Sequence, residues 1–555
     1  MSFARPGAGI TRTQLFVATA AWIATIPNAH VTQLFFDSPA AGQGLTAILF
    51  AFGGWLFVFT VTLLLLMLLG LVFWGRSSKA LCVAVILAAA ILGYFSIFLG
   101  VRFDKTMLLN VMQTDPAEAR DLITFRMLGW VLLVGVVPAV LLARIPFRPT
   151  PSWYKAISRP LLLLAASILV TTLLVYAQYS RYAAATRNRN VTFEHVAPAN
   201  FIAAAVALGI NELAERTIRA PRGTDAHQGY AIQKPRLLVL LLGETARAQN
   251  HGLNGYLRDT TPQMRAAKGY YFPDTESCGT ATAISVPCIF SGFSRQEFSL
   301  LRGRQNETLI DVVLRGGARV VWLDNDSGCK NVCEKADYRD LTGSNNPRWC
   351  AEQADCVDEI LLENLESIIR HETRDTLIVL HLKGSHGPAY YKRYPAAFEK
   401  FTPVCKTSDL PSCSEAELRN AYDNSILYTD FIVGETIRIL KKVANQYATS
   451  LLYVSDHGES LGEAGLYLHG MPYAVAPKEQ THVPMYAWVS REFLQLERWD
   501  TDCMTRQTKV PRSHDNVYAT VLGFMEIESV EYKPALDLFD PCDPPPTSAA
   551  SAKRN

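Results

Sequence analysis

Apolar residues are spread unevenly along the chain. Up to about residue 180, long stretches lack charged side chains, whereas the remainder alternates apolar runs with polar loops and helical stretches. Four of the early stretches reach the ~20 residues that a membrane-spanning helix needs, and a weaker first stretch is interrupted by Pro27, Asn28 and His30. The pattern predicts five membrane spans, centred on residues 14–34, 44–74, 78–101, 124–144 and 159–179.

The first apolar stretch also admits a second interpretation. Arg5 and Arg12 precede its apolar core, which is the arrangement of a cleaved signal peptide. Four further spans make cleavage unnecessary for insertion, so we favour a retained span.

Basic residues indicate which side of the membrane each segment faces. With the N-terminus in the cytoplasm, the inner segments carry eight Lys and Arg residues, and the outer segments carry four, all around 102–126. Because cytoplasmic loops are enriched in Lys and Arg, the chain after the fifth span is expected outside the membrane. The eight inner residues are Arg5, Arg12, Arg76, Lys79, Arg144, Arg148, Lys155 and Arg159.

Beyond residue 235, five apolar runs have the length of strands and lack alternating polar residues. Such runs are typical of strands covered on both faces, as in a mostly parallel sheet flanked by helices. The predicted fold is therefore a five-helix transmembrane domain followed by an α/β domain with a mostly parallel central sheet. The five runs are 236–245, 318–325, 376–387, 450–459 and 483–490.

These patterns predict four parts of the chain: a transmembrane domain at 1–180, a linker at 181–235, an outer globular domain at 236–542 and a disordered tail at 543–555. The tail is polar and rich in Pro, Ser and Ala. The linker holds apolar residues at helical spacing, so an amphipathic helix lies either on the membrane surface or against the globular domain. These residues are Ile202, Val206, Ile210 and Leu213.

The cysteines indicate an oxidising compartment. Of the eleven, Cys82 falls in a predicted span and the other ten lie between 278 and 542. Their spacing forms four close pairs and leaves Cys503 and Cys542 over, which fits disulfides in a bacterial periplasmic domain. A CxxxC pair could instead hold a metal, but the CxxC spacing of zinc ribbons is missing. The close pairs are Cys278 with Cys288, Cys329 with Cys333, Cys350 with Cys356, and Cys405 with Cys413.

The overall charge is nearly balanced. The chain has 53 Lys and Arg against 51 Asp and Glu, a formal net charge of +2. This balance gives no reason to expect a nucleic-acid partner. We expect a monomer, since neither the spans nor the charge indicates an oligomer.

Three of the strand-like runs end in polar residues that can bind a metal. Glu244 lies at the end of the first run, His386 at the end of the third, and Asp456 and His457 near the end of the fourth. Because the carboxyl ends of parallel strands meet at one edge, these side chains are expected together, with His469 a candidate to join them. Such a mixture of oxygen and nitrogen ligands suits zinc. Each motif alone could instead cap a helix or hydrogen-bond a loop.

The segment SCGTATAISVPC at 277–288 holds two threonines between two cysteines. A hydroxyl is a poor nucleophile until a bound metal stabilises its ionised form and aims it at phosphorus. A Cys278–Cys288 disulfide would hold such a hydroxyl on a rigid loop, and the small Gly279 and Ala281 leave room for a phosphate at a helix N-terminus. The alternative is that the threonines cap that helix, although capping accounts for only one of them.

Five stretches together resemble a known family. They are GETARAQNHGLNGY at 243–256, SCGTATAISVPC at 277–288, NDSGCKNVC at 325–333, GSHGPAYYKRYP at 384–395 and YVSDHGESLGEAGLYLHGMPYA at 453–474. On these residues the chain resembles the membrane phosphoethanolamine transferases that modify lipid A, including those of mobile colistin resistance. The resemblance covers essentially the whole chain and implies an outer domain of the alkaline-phosphatase and sulfatase type.

The resemblance also implies roles for individual residues. Thr282, the second threonine of the pair, would be the nucleophile that carries phosphoethanolamine. The implied ligands of one tightly bound zinc ion are Glu244, Thr282, Asp456 and His457. His386 and His469 would bind substrate phosphate or a second zinc ion during turnover, and Lys330 matches a position in the substrate pocket.

Asn110, Thr114 and Glu118 match positions that the family uses near the donor head group. The same segment also reads as a helix start, with Asp115 as N-cap, Pro116 at the first helical position and Glu118 at the third. Both interpretations stay open.

The expected function is zinc-dependent transfer of phosphoethanolamine from phosphatidylethanolamine to lipid A at the bacterial inner membrane. Transfer would pass through a covalent phosphothreonine, and the added amine would protect against polymyxins. Alternatives keep the chemistry but use the lipopolysaccharide core, a periplasmic glucan or water as acceptor. A non-catalytic envelope sensor is a further alternative, which intact ligand types at the matched positions disfavour.

Overall fold

The computed structural model describes residues 9–114, 116–148, 152–187, 193–214, 219–229, 234–344, 346–350, 356–370 and 372–542. Asp115 and the tail at 543–555 lie outside the described residues, as do the side chains of Ile210 and Leu213. The chain forms two compact units. The first comprises Met1–Leu108, Ile123–Gly209 and Ala464–Leu466, and the second comprises Leu109–Leu122, Ile210–Glu463 and Tyr467–Asn555. The predicted boundaries at 180, 235 and 542 stay predictions.

The helices are α1 Arg12–Thr25, α2 Ala29–Phe36, α3 Leu45–Leu69, α4 Ser77–Phe98, α5 Lys105–Gln113, α6 Pro116–Asp121, α7 Phe125–Trp130, α8 Val137–Arg144, α9 Trp153–Ala177, α10 Tyr179–Arg187, α11 Ala199–Ala214, α12 Pro262–Ala267, α13 Thr282–Ser291, α14 Leu300–Arg304, α15 Leu309–Arg315, α16 Glu359–Ile369, α17 Glu415–Val443, α18 Lys478–Thr481, α19 Arg491–Glu497, α20 Thr501–Gln507 and α21 Asp515–Phe524. A π-helical turn at Val131–Val136 joins α7 to α8.

The strands are β1 His227–Gln228, β2 Arg236–Gly243, β3 Tyr270–Phe272, β4 Thr275–Glu276, β5 Arg319–Asp324, β6 Asp337–Asp340, β7 Thr376–His381, β8 Ala448–Ser455, β9 Ser460–Leu461, β10 Tyr467–Leu468, β11 Met485–Val489, β12 Arg512–Ser513 and β13 Ile527–Glu528.

The first unit contains the predicted spans. The helices at Leu45–Leu69, Ser77–Phe98, Phe125–Arg144 and Ile157–Ala177 are each long and apolar enough to cross a membrane. The weaker first stretch forms two helices, α1 and α2, which are bent by 54° and could together make a fifth span. Four to five apolar N-terminal helices are thus present, as predicted.

The bend between α1 and α2 has a local cause. Pro27 lacks a backbone N–H and cannot continue the helical ladder. The buried Asn28 side chain donates hydrogen bonds to the carbonyls of Ile23 (3.1 Å) and Ala197 (2.8 Å), and accepts one from the Ala197 backbone N–H (2.9 Å). Polar groups freed at the break are therefore satisfied inside the unit.

The second unit is built on a seven-stranded sheet. The strand order is β3, β11, β8, β2, β7, β5, β6. The pairs among β8, β2, β7, β5 and β6 are parallel, and β11 runs antiparallel to both of its neighbours. The prediction of a mostly parallel sheet is confirmed, and all five predicted runs lie in it.

Burial on both faces explains why β2 is apolar throughout. Leu238, Leu240 and Leu242 belong to one hydrophobic cluster, while Leu237, Val239 and Leu241 belong to another. Alternate side chains of a strand point to opposite faces, so each face of the sheet packs against its own layer. The strand register places the carboxyl ends of β8, β2 and β7 side by side. Gly243 at the end of β2 pairs with Ser455 of β8, and Leu242 pairs with His381 of β7.

The ten cysteines between 278 and 542 all form disulfides. The four predicted close pairs are joined, and the two cysteines left over by the spacing are joined to each other across 39 residues. The only other cysteine, Cys82, is buried and free. The bonds are Cys278 to Cys288, Cys329 to Cys333, Cys350 to Cys356, Cys405 to Cys413, and Cys503 to Cys542.

Two of these disulfides join cysteines that are four and six residues apart in sequence, and for the first of them a metal site was the alternative. The Cys329–Cys333 bond means that this CxxxC pair does not hold a metal. Cys350 and Cys356 also pair through an isolated antiparallel backbone bridge, so the disulfide joins two residues whose backbones already meet. Cys356 itself is buried and packs in the hydrophobic cluster that contains Leu241.

We expect the Cys503–Cys542 disulfide to stabilise the outer unit more than the Cys405–Cys413 disulfide. Loop-closure entropy predicts roughly 4 kcal/mol for the longer loop and roughly 2.5 kcal/mol for the shorter. Thermal unfolding of the full-length protein in detergent, comparing Cys503→Ala/Cys542→Ala with Cys405→Ala/Cys413→Ala, measures the difference. Equal midpoints for the two double variants would contradict the entropic argument.

Candidate active site

Thr282 is the first residue of α13 and lies at the edge where the parallel strands end. The Cys278–Cys288 disulfide ties the preceding loop to the body of this helix. Ala281 is the N-cap residue, and no side-chain hydrogen bond caps the helix. The alternative in which a threonine caps α13 is therefore wrong, and both threonine hydroxyls have other partners.

The Thr282 hydroxyl faces a buried carboxylate and an imidazole. It donates to Glu244 Oε2 at 3.1 Å and lies 3.4 Å from His457 Nε2. Thr282 itself is only 4% exposed. A buried hydroxyl held between an acceptor and an imidazole nitrogen has one defined direction, which a nucleophile requires.

Glu244, Asp456 and His457 form a compact cluster of potential metal ligands. One ligand atom from each lies within 4.8 Å of the others. His457 Nε2 is 3.4 Å from Glu244 Oε1 and 3.3 Å from Asp456 Oδ2. With the Thr282 hydroxyl, the set offers the oxygen and nitrogen donors that four-coordinate zinc prefers.

Two further observations fit a bound cation. Asp456 Oδ2 is buried and has no hydrogen-bond partner among the described residues, whereas Oδ1 accepts from the backbone N–H groups of Thr245 (3.1 Å) and His457 (2.7 Å). His457 Nδ1 is 2.8 Å from the Gly458 carbonyl, so Nδ1 carries the proton and Nε2 presents its lone pair to the cluster. The free oxygen of Asp456 and the Nε2 atom of His457, 3.3 Å apart, thus both face the cluster.

Electrostatics of the cluster also favour a cation. Burial raises the pKa of Glu244 well above its ordinary value, and repulsion from Asp456 and Asp326 raises it further. Burial likewise raises the pKa of Asp456 to about 6. Burial and the nearby His469 lower the pKa of His457 to about 4. A divalent ion would offset the carboxylate repulsion and leave the imidazole neutral, as ligation requires.

The backbone around Glu244 is specialised for this position. Thr245 has φ of +59°, a conformation that costs a β-branched residue about 1–3 kcal/mol. Its N–H is the donor to Asp456 Oδ1 described above. Gly384 also has positive φ, and a Cβ at this residue would lie 2.6 Å from the Glu244 carbonyl. These two strand ends can approach each other only with this backbone.

His386 and His469 lie next to the cluster. The ring centroid of His469 is 4.3 Å from that of His457 and 5.7 Å from that of His386. Burial lowers the pKa of His386 to about 3 and that of His469 to about 4, so both imidazoles are neutral at pH 7. Neutral rings accept a proton or a hydrogen bond, and an anionic phosphate beside them would raise their pKa again.

The first threonine of the pair positions the segment that carries His469. Thr280 Oγ1 donates to the Met471 carbonyl at 2.6 Å, and the Gly470 N–H donates to the Thr280 carbonyl at 2.7 Å. His469 Nδ1 is 3.0 Å from the buried carboxylate of Glu459. Sequence reasoning singled out Thr280 without this contact and missed Glu459, because neither motif spacing nor composition shows which groups they touch.

We expect Thr280→Ala to lower catalytic activity by roughly tenfold by loosening this segment. Loss of the hydrogen bond to a buried carbonyl should also cost about 1–2 kcal/mol of unfolding free energy. Thr280→Ser keeps the hydroxyl and should retain most activity and stability. Matching activities for the alanine and serine variants would show that the hydrogen bond has no such role.

The remaining predicted residues are placed as follows. The Glu118 carboxylate is 3.7 Å from His386 Nε2, which brings α6 to the site. Asp121 at the end of α6 forms ion pairs with Lys392 and Arg393. α6 begins at Pro116 with Glu118 in its first turn, as the helix-start interpretation predicts, and the role of Glu118 near the donor head group stays a prediction.

Asn110, Thr114 and Lys330 have local contacts instead. The Thr114 hydroxyl donates to the Asn110 carbonyl at 2.9 Å. Lys330 has φ of +52°, and its ammonium donates to the Ser327 carbonyl at 2.8 Å. Burial alone would raise the pKa of Asp326, but nearby charges, Lys383 first and Lys330 among the others, lower it. Ligand atoms of Asp326 and His381 lie within 4.8 Å of one of Glu244, a grouping that the sequence predictions did not include.

Comparison with known proteins shows two family matches. The family described as phosphoethanolamine transferase EptA/EptB matches residues 61–212. The sulfatase family matches residues 236–527. Phosphoethanolamine transferase EptA of Salmonella typhimurium is 40% identical over 474 residues, which cover 84% of this chain and 86% of that protein.

Two more proteins are similar over most of their length. Phosphatidylethanolamine transferase Mcr-1 of Escherichia coli is 37% identical over 82% of this chain and 85% of that protein. The structure of the integral membrane protein lipooligosaccharide phosphoethanolamine transferase A from Neisseria meningitidis has a TM-score of 0.89 at 36% identity, covering 95% of this chain and 99% of that chain.

Proposed function

This chain belongs to the phosphoethanolamine transferases related to EptA, and on that premise we propose that it transfers phosphoethanolamine from phosphatidylethanolamine to a phosphate of lipid A. It is a multi-pass inner-membrane transferase with its catalytic domain in the periplasm. One observation carries the proposal most directly: the buried Thr282 hydroxyl donates to Glu244 at 3.1 Å beside His457. The names of the relatives, which include a phosphatidylethanolamine transferase and a lipooligosaccharide transferase, support the donor and the acceptor class.

In the first step, Thr282 Oγ1 attacks the phosphorus of the donor lipid. Its proton passes to a carboxylate oxygen of Glu244, the group that already accepts its hydrogen bond. The bond between phosphorus and the diacylglycerol oxygen breaks, and that oxygen takes up a proton. Phosphoethanolamine is then covalently attached to Thr282.

In the second step, an oxygen of an acceptor phosphate attacks the same phosphorus. The bond to Thr282 breaks, and the hydroxyl recovers its proton from Glu244. Both steps place negative charge on the same phosphorus oxygens, so one set of side chains serves both.

We assign zinc to the set Glu244, Thr282, Asp456 and His457, whose donors match its preferences. When bound, zinc would supply Lewis-acid stabilisation of the charge that develops on the reacting oxygens. The chain's own residues orient that set: the Gly458 carbonyl holds the His457 ring, and two backbone N–H groups hold Asp456.

His386 and His469 are proposed to bind the substrate phosphate. Burial keeps both rings neutral in the free protein by lowering their pKa, but a phosphate anion beside them favours their protonated forms. A protonated His386 or His469 would then be the acid for the departing diacylglycerol oxygen. Glu118, 3.7 Å from His386, is proposed to face the positively charged ethanolamine, with Asn110 and Thr114 on the same segment and Lys330 near the phosphate.

Membrane anchoring suits this reaction because both lipids are confined to the bilayer. An anchored catalytic domain meets them at a high effective concentration. The ethanolamine amine offsets a negative phosphate charge on lipid A, which weakens attraction of cationic peptides. We therefore propose protection against polymyxins as the phenotype.

Mass spectrometry of lipid A from cells with and without the protein tests the proposal. We expect a phosphoethanolamine increment on lipid A that depends on the protein, together with increased polymyxin survival. An increment found only on the lipopolysaccharide core or on a glucan would assign a different acceptor. Release of free phosphoethanolamine alone would indicate a hydrolase.

A further inference from the structure

A second group of metal-ligand atoms lies on the other side of Glu244. Ligand atoms of Glu244, Asp326 and His381 all lie within 4.8 Å of one another. His381 is 0% exposed and Asp326 is 2% exposed. His386 and His469, the candidates considered above for substrate phosphate, are not members of this group.

His381 is oriented toward this group by Asp324. His381 Nδ1 is 2.9 Å from Asp324 Oδ2, which also accepts a hydrogen bond from the indole N–H of Trp322 at 2.9 Å. Asp324 therefore accepts the Nδ1 proton, and Nε2, on the other side of the ring, faces Asp326. A carboxylate that fixes the tautomer in this way is the usual outer neighbour of a metal-binding histidine.

The Nε2 atom of His381 has no hydrogen-bond partner among the described residues, although it is fully buried. The nearest charged atom described for it is Asp326 Oδ2 at 3.8 Å, beyond hydrogen-bond distance. Burying a polar atom without a partner costs folding free energy. The position of Nε2, which faces two carboxylates without a hydrogen bond, therefore needs an explanation. A cation between the three residues would satisfy it.

One member of the group lies on a strand, and the other two follow strand ends within two residues. His381 is the last residue of β7 and pairs with Asp324 at the end of β5 on one side and with Leu242 of β2 on the other. Its position relative to Glu244 is therefore set by the sheet register. The Lys383 ammonium lies 3.6 Å from Asp326 Oδ1, whereas Asp326 Oδ2 is the oxygen 3.8 Å from His381 Nε2.

We infer that Glu244, Asp326 and His381 form a second site for a divalent transition-metal cation, adjacent to the first and sharing Glu244 with it. The class of cation follows from two carboxylates and an imidazole. Two sites that share a carboxylate hold ions about 3.5–4 Å apart in two-metal enzymes. The inference rests on the proposed function and deepens it, because it places a second cation beside the carboxylate that accepts the hydrogen bond of the Thr282 hydroxyl.

Metal content of the purified full-length protein tests the inference. The protein in detergent is stripped with a chelator, reloaded with Mn²⁺ alone and measured by mass spectrometry for metal per chain. We expect about two equivalents for the unchanged protein and about one for Asp326→Asn and for His381→Gln. Asp456→Asn should also keep about one, whereas Glu244→Gln should keep neither.

Electron paramagnetic resonance provides a second readout. Two Mn²⁺ ions that share Glu244 should give a coupled spectrum, and Asp326→Asn should give the spectrum of isolated ions.

The retained first equivalent in Asp326→Asn and His381→Gln shows that these variants fold. His251→Gln is the matched control, since His251 is also buried with unpartnered ring nitrogens among the described residues but belongs to neither group; it should retain both equivalents.

Two results would overturn the inference. One is an unchanged protein that never binds more than about one equivalent at saturating Mn²⁺. The other is a second equivalent that survives in Asp326→Asn but is lost in His386→Ala/His469→Ala. If the protein modifies lipid A but binds only one equivalent of metal, this inference alone is rejected. If the protein binds two equivalents of metal and leaves lipid A unmodified, the proposed function alone is rejected.

Discussion

Thr282→Ala is expected to abolish phosphoethanolamine transfer, with a loss of roughly 10³-fold or more, because no other hydroxyl is held between Glu244 and His457 in the described part of the chain. The alanine side chain is smaller and apolar, so the helix and its disulfide should be undisturbed. The measurement is the lipid A mass increment in cells, together with transfer by the purified protein to an acceptor lipid. Intact protein mass should show covalent phosphoethanolamine on the unchanged protein and none on the variant.

The control for this variant is Thr282→Ser, which keeps a hydroxyl at the same atom position. It should retain measurable transfer and a covalent adduct at residue 282. Full transfer and full polymyxin protection by Thr282→Ala would refute the assignment of the nucleophile. An adduct on Thr280 would refute it as well, since that hydroxyl is bound to the Met471 carbonyl.

Asp456→Asn is expected to weaken metal binding at the first site by roughly 10²-fold or more, since loss of an outer-shell partner alone costs 10–100-fold. The asparagine carbonyl can still accept from the N–H groups of Thr245 and His457. Its amide then points N–H donors toward the cluster, where Asp456 presents an unpartnered oxygen among the described residues. Transfer should fall at least in proportion, and metal titration of the purified protein measures the affinity.

Asp430→Asn is the matched control for Asp456→Asn. Asp430 is also buried and also accepts from two backbone N–H groups, those of Gln263 (2.7 Å) and Met264 (2.9 Å). It belongs to neither group of metal-ligand atoms. Asp430→Asn should leave metal affinity unchanged, and equal metal loss in the two variants would show that the effect is a general consequence of altering a buried carboxylate.

Much of the architecture could be predicted because it depends on periodicity. Uncharged stretches long enough to span a membrane predicted the N-terminal helices, and their weakest member is the one that bends at Pro27. Apolar runs without alternation predicted a sheet covered on both faces, since both faces of β2 are buried. Placing Glu244 and Asp456 at one edge also followed, because parallel strands end together.

Other features of the site could not be predicted from local patterns. His381 ends an apolar run, and only the register of β7 with β5 and β2 places it beside Asp324 and Glu244. The two threonines of the 277–288 loop look alike in sequence. The fold separates them, because Thr280 reaches the Met471 carbonyl while Thr282 faces Glu244.

Local patterns along the chain were enough to specify the membrane helices, the parallel sheet, the disulfide-bearing outer domain and the chemical types of residue available at the strand ends. These properties depend on hydrophobic period, composition and short spacing, which are local along the chain. Which side chains lie together depends on the tertiary structure. Among the described residues, it buries an Asp456 oxygen and a His381 nitrogen without hydrogen-bond partners, and it brings Glu118 close to His386. The reason is that these contacts join residues distant in sequence, so their distances are set by strand register and packing rather than by any neighbouring residue.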